Sequence, residues 1–165
     1  FSCYNLTEPN AGSDANSGKT VAVLSQDKTH YELTGQKIWI SNAGFSEVFI
    51  VFARIEDDKN ITGFVIKKSQ SNGLTLGEEE KKLGLNSSST RQVFYDKTKV
   101  PVDQMLGERN GGFKIAMNAL NVGRIKLCAA TTAAIIDASF EILLSLFDFF
   151  IVFFLRQTLM YKKVH

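Results

Sequence analysis

Two short stretches hold the residues whose types and spacing could do chemistry. The first, Tyr4-Asn5-Leu6-Thr7-Glu8-Pro9-Asn10-Ala11-Gly12-Ser13-Asp14, sets hydroxyls, a carboxylate and a glycine in what every local signal marks as a loop. The second, Gly35-Gln36-Lys37-Ile38-Trp39-Ile40-Ser41-Asn42-Ala43, puts the only tryptophan of the chain next to another hydroxyl. Backbone N–H groups and hydroxyls held in place can stabilise developing negative charge without reorganising. Glycine lets a backbone pass close to a ligand, and a tryptophan offers a large apolar surface. Each feature also has a plainer reading. Pro9 and Gly12 would serve an ordinary turn, and Trp39 alone could be a core aromatic. Ser87-Ser88-Ser89-Thr90 reads as a polar connection, Arg91 as a surface ion pair, and Asn121 as a polar group on a helix surface.

Other chemistries find no footing. Cys3 and Cys128 lie far apart and fit no metal-ligand spacing, so two reduced thiols are the expectation and no metal site is assigned. Gly111-Gly112 lacks the Lys-Ser/Thr and the preceding buried strand of a phosphate loop. His30 and His165 have no partner pattern and are expected to face solvent.

The elements that must position these residues fall into three stretches. From residue 1 to about 101, short apolar or alternating runs recur between Gly, Asn, Asp and Ser clusters, which predicts an antiparallel barrel or sandwich. The runs are Phe1–Leu6, Thr20–Ser25, His30–Leu33, Gln36–Ile40, Val48–Ala53, Ile61–Lys67, Leu74–Leu76 and Gln92–Tyr95. Val48–Ala53 is apolar throughout and reads as a strand buried on both faces. From 102 to about 134, Phe113, Ala116, Met117 and Leu120 fall at i, i+3, i+4 and i+7, the stripe of an amphipathic helix. Residues 135–165 form a Phe-rich tail, expected to be helical. Asp137, Glu141 and Asp148 argue against its spanning a bilayer, because a carboxylate at the centre costs roughly 2.5–3.5 kcal/mol.

The chain has 165 residues, with 44% apolar, 22% charged and a formal charge of +2. That is ordinary globular composition, and without a basic stripe it gives no reason to expect a nucleic-acid partner.

The first stretch resembles the opening signature of the acyl-CoA dehydrogenases, an aromatic–x–Leu/Val–Thr–Glu–Pro–x–x–Gly–Ser–Asp run. Gly35–Ala43 is similar to the second flavin segment of that family, and Leu83-Gly84-Leu85-Asn86-Ser87-Ser88-Ser89-Thr90-Arg91 to its Gly–x–x–x–Ser–x–Thr stretch. Val100-Pro101, Gly111-Gly112-Phe113 and Leu120-Asn121-Val122-Gly123-Arg124 follow in the order of the family, the last resembling its very-long-chain branch. The resemblance covers residues 1 to about 130.

It implies a mainly β fold, an antiparallel β-barrel followed by one or two helices, and FAD as cofactor. Tyr4, Leu6, Thr7, Gly12, Ser13, Trp39, Ile40 and Ser41 would be the flavin-contacting residues, with Thr7 a hydroxyl donor and Leu6 a backbone contact. Ser13, Asn121 and Arg124 would touch the acyl-CoA, the planar guanidinium suiting the nucleotide portion. The implied reaction is α,β-desaturation of an acyl-CoA thioester, with electrons passed to an electron-transferring flavoprotein. The parent would be a homo-oligomer of the bacterial cytoplasm or mitochondrial matrix. The family's carboxylate base finds no counterpart: one known position for it is occupied by Gly123, so no catalytic residue is assigned. The expectation is therefore a fragment of a dehydrogenase, inactive alone. Two other readings remain open, a non-catalytic flavin- or acyl-CoA-binding module and a β-domain tethered to a membrane through residues 135–155.

Overall fold

The computed structural model describes the backbone of residues 1–164 and side chains through Val152. His165 lies outside the described residues. Eight strands form a single sheet: β1 (Ser2–Asn5), β2 (Val21–Leu24), β3 (His30–Ser41), β4 (Val48–Ile55), β5 (Ile61–Lys67), β6 (Leu74–Glu79), β7 (Thr90–Pro101) and β8 (Met105–Leu106). Along the sheet the order is β6-β7-β3-β2-β4-β5-β8, with β1 also on β4.

The mainly β body agrees with the sequence reading, but the sheet is mixed. β1 runs parallel to β4 from Val48 to Val51, and β2 runs parallel to Arg54 and Ile55. These two strands are successive uses of one edge of β4, separated by a loop over residues 6–20, so the chain does not reverse between them. Two predicted runs, His30–Leu33 and Gln36–Ile40, belong to one twelve-residue strand. Gly35 between them marks an irregularity in the pairing with β7 rather than a break, a usual meaning of glycine inside a strand. A Cβ at Gly35 would stand 2.5 Å from Thr20 Oγ1 and 2.8 Å from its Cα, so glycine is required for β3 to pass the end of the loop.

β4 is buried on both faces, as its apolar run predicts. Phe49, Val51, Ala53 and Ile55 join Leu33, Ile40, Phe64, Ile66, Val93, Tyr95 and Val100 in the main core. Phe52 is equally buried but faces the other way, with its ring 5.3 Å from that of Tyr4. Leu6, Ala11, Ala15, Ile61 and Ala116 are the other buried apolar residues outside the main core. This burial holds the loop that carries the first motif.

Among the described residues there is one α-helix, α1, from Gly112 to Val164. The compact unit that contains the sheet spans Phe1–Asn118 and so includes the start of α1; residues 119–165 form a second unit. Within the first unit Ala116 is buried and Met117 half-buried, while Phe113 stays 42% exposed. The first residue of the helix, Gly112, lies against β5: a Cβ there would approach the Ile61 carbonyl oxygen to 2.7 Å, which favours glycine at this position. In the second unit, side chains from Asn121 to Val152 are all exposed. Thr131, Thr132 and Ser139 return their hydroxyls to backbone carbonyls of their own helix. Among the described residues no helix is long and apolar enough to cross a membrane.

Cys3 is buried, Cys128 is exposed, and both are free. His30 corrects the expectation of a solvent-facing side chain: its ring is only 20% exposed and lies 3.8 Å from both Asp27 and Glu32. It opens β3 immediately after the Asp27 turn, and this placement tucks the ring between the two carboxylates.

Candidate functional site

The two motif stretches lie side by side. Ile38 of β3 donates its N–H to the Thr7 carbonyl at 3.0 Å, so the loop after β1 rests along the middle of β3. Beside this bond lies an ion pair that sequence reasoning did not single out. Lys37 is 1% exposed, and its Nζ donates to Glu8 Oε1 at 2.7 Å, the Phe52 carbonyl at 2.7 Å and the Leu6 carbonyl at 3.1 Å. Three acceptors match the three protons of an ammonium. Glu8 Oε2 accepts the backbone N–H groups of Lys19 at 2.6 Å and Thr20 at 3.2 Å. Burial alone would raise the Glu8 carboxyl. The Lys37 ammonium and the donated hydrogen bonds outweigh it and hold Glu8 below the usual carboxylate range. The pair thus closes the loop upon itself and ties it to β3 and β4.

The signal for Lys37 was present but easy to misread. A lysine inside a strand usually marks a solvent face, whereas this one is the largest fully buried side chain among the described residues. Its partner, Glu8, has both carboxylate oxygens engaged within the chain, which is a structural use of the carboxylate in the motif.

Downstream of Lys37 the pairing of β3 with β7 shifts between Lys37 and Ile40. Trp39 sits in this bulge with φ 59° and is 57% exposed. A left-handed backbone is uncommon for a bulky residue, and here it turns the indole out of the sheet while Ile40 returns to the core. Trp39 is accordingly not a core aromatic.

The remaining predicted positions in the first unit divide by exposure. Thr7 is half-buried, and Gly12, Ser13 and Ser41 are exposed. The side-chain hydroxyls of Thr7, Ser13 and Ser41 make no hydrogen bond among the described residues. Nothing within the chain explains glycine at position 12, where a Cβ would meet no atom within 4 Å. Leu6 and Ile40 are buried by side chain. Tyr4 donates its hydroxyl to the Ala116 carbonyl at 3.1 Å, and burial pushes the phenol up to about 12. Behind the motif, Tyr95 donates to Asn5 Oδ1 at 3.1 Å inside the core. A cavity of about 170 Å³ adjoins the loop, lined by Glu8, Pro9, Thr20, Gly35 and Gln36 among others.

Two predicted substrate positions lie in the second unit. Arg124 Nη1 donates to Asn121 Oδ1 at 2.9 Å, one turn apart on an exposed helix face. Ser87, Ser88 and Ser89 belong to the connection from β6 to β7, whereas Thr90 already opens β7 and is buried opposite Ser41; Arg91 makes a 3.0 Å ion pair with Glu79, as the plainer reading had it. Among the described residues no cluster of His, Cys, Asp and Glu could hold a metal ion.

The family model for the acyl-CoA dehydrogenase middle domain matches residues 3–98. A Bacillus subtilis protein named "Probable acyl-CoA dehydrogenase" is 47% identical over 134 residues, covering 81% of this chain and 22% of that protein. The human mitochondrial very long-chain specific acyl-CoA dehydrogenase is 44% identical over 135 residues, covering 77% of this chain and 20% of that protein. Among solved structures, an acyl-CoA dehydrogenase from Bacillus anthracis complexed with FAD matches with a TM-score of 0.72 and 46% identity, over 76% of this chain and 22% of that one. Butyryl-CoA dehydrogenase from Megasphaera elsdenii matches with the same TM-score and 41% identity, over 76% of this chain and 33% of that one. The chain therefore spans about a fifth of the length of the curated relatives it matches first.

Proposed function

We propose that this chain, which belongs to the acyl-CoA dehydrogenase family, forms the flavin- and thioester-contacting wall of an FAD-dependent enzyme that desaturates acyl-CoA between its α and β carbons. One observation carries the reading. The loop with Thr7 and the bulge with Trp39, thirty-two residues apart, are joined by the bond from Ile38 to Thr7 and by the Lys37 ammonium.

The residues present fit a flavin. Three hydroxyls, on Thr7, Ser13 and Ser41, are left with no internal partner among the described residues, and a polar ring edge needs such donors. Trp39 offers an outward apolar face, and the open side of Gly12 leaves room for close approach. In this reading Tyr4, Leu6, Thr7, Gly12, Ser13, Trp39, Ile40 and Ser41 hold the cofactor. When bound, FAD supplies the acceptor for the β-hydride. Thr7 and Ser41 act by orienting dipoles toward the polar edge, and Ser13 also reaches the thioester side. Trp39 excludes water from one face. In the helical unit Asn121 and Arg124 contact the CoA nucleotide, the guanidinium as a planar fork. Electrons leave to an electron-transferring flavoprotein, and the working enzyme is a homo-oligomer.

No residue of the 165 is assigned the removal of the α-proton. The 165-residue polypeptide is therefore expected to bind FAD without being reduced by substrate. The test is a titration of the chain with FAD, followed anaerobically by a long-chain acyl-CoA. Binding without bleaching of the flavin is the expected result. Absence of any FAD binding would sink the reading, and bleaching would show that a base among these residues has been overlooked. Retention of FAD with no acyl-CoA affinity would favour a non-catalytic flavin-binding module.

A further inference from the structure

We infer that Lys37, through its pairing with Glu8, is a positioning residue that fixes the Thr7 loop against the Trp39 bulge and so sets the shape of the cradle; this rests on the flavin reading above.

Lys37 gathers three separate pieces of chain: Leu6 and Glu8 in the loop, Phe52 in β4, and its own strand β3. The Leu6 carbonyl it holds precedes Thr7, and the Thr7 carbonyl is held by Ile38, the residue after Lys37. Trp39 comes next, in its left-handed bulge. One side chain and one backbone bond thus fix the loop donor and the indole relative to each other. A purely structural tie at this place would not need an ammonium. Buried ion pairs can often be replaced by apolar groups of similar volume without loss of stability, and their best-attested use is to select one geometry. Here the selected geometry joins the two stretches that carry the exposed hydroxyls and the indole.

The chain supplies its own reporter, because Trp39 is its only tryptophan. A flavin stacked near that indole quenches its fluorescence, so quenching reports position as well as binding. The experiment compares FAD titrations of the wild-type chain, K37R and the E8Q/K37M variant, with cooperative unfolding as the check on fold. In E8Q/K37M, FAD binding is expected to weaken by about tenfold, on the order of one charge-assisted contact. Quenching of Trp39 at saturation is expected to become shallower. K37R, which keeps the charge, is expected to restore most of both. A folded E8Q/K37M with unchanged affinity and unchanged quenching would overturn the inference and leave the flavin reading intact. A wild-type chain that neither binds FAD nor shows quenching would overturn both together. Should E8Q/K37M not fold, E8D decides, since it keeps both charges and only shortens the reach to Lys37: weaker binding with shallower quenching supports the inference, and wild-type behaviour overturns it.

Discussion

Replacing Lys37 by methionine should unfold this chain far more readily than its place in a strand would lead one to expect. The substitution keeps the length of the stem and removes the ammonium. Glu8, 6% exposed, would remain as a buried carboxylate with only the N–H groups of Lys19 and Thr20. Breaking a buried pair by removing one partner costs about 3–5 kcal/mol. The two surviving backbone donors pull the figure toward the lower end. The Leu6 and Phe52 carbonyls lose their donor as well, at about 1 kcal/mol each, which pulls it back up. With a urea slope of about 2 kcal/mol/M, the midpoint of unfolding should fall by roughly 1.5–2.5 M. The assay is urea unfolding followed by Trp39 fluorescence and far-UV circular dichroism together. E8Q/K37M, with no charge left behind, should recover about half of the loss, so the double variant should cost less than the sum of the two single substitutions in a double-mutant cycle. A K37M midpoint within about 0.5 M of wild type, or strictly additive effects, would show that the pair is not the clasp described above.

The same pair predicts the acid limb of stability. Because the folded Glu8 carboxyl is held below its unfolded value, its contribution is complete above the usual carboxylate range. It is lost as pH falls below about 4 toward the folded value, so E8Q/K37M should show a flatter stability profile there in unfolding curves taken across pH. At the start of the helix, Gly112→Ala should cost roughly 1–3 kcal/mol by overpacking against the Ile61 carbonyl, read as a lowered thermal midpoint. Tyr4→Phe should cost about 1 kcal/mol from the lost bond to the Ala116 carbonyl, with the sheet unchanged by circular dichroism.

Much of the fold was legible because burial leaves a pattern in the sequence. Val48–Ala53 declared a doubly buried strand, and the core took Phe49 and Val51 on one face and Phe52 on the other. The connections at Gln26–Thr29 and Asp57–Asn60 fall in polar gaps between the runs read as strands. What escaped has physical causes. Asp96, Lys97 and Lys99 look like loop residues, yet they are the outward positions of β7, whose inward Thr98 and Val100 are buried. The parallel pairings along β4 depend on how residues 6–20 leave and rejoin one edge, which no local period encodes. Lys37 escaped for a similar reason. A buried ammonium is recognised by its acceptors, and two of the three are backbone carbonyls with no sequence identity of their own.

The two shifts in the pairing of β3 have a consequence for any attempt to alter this strand. Side chains on a strand alternate strictly, so an extra residue acts as a switch of phase. Leu33 and Ile40 share the aliphatic interior although they are seven positions apart, an odd offset, and Lys37 between them reaches the loop. Deleting a single residue at position 38 or 39 would therefore do more than shorten the strand. It would remove the extra residue between Lys37 and Ile40, and with it the left-handed turn that carries the indole outward. Point substitutions should be tolerated here far better than changes of length.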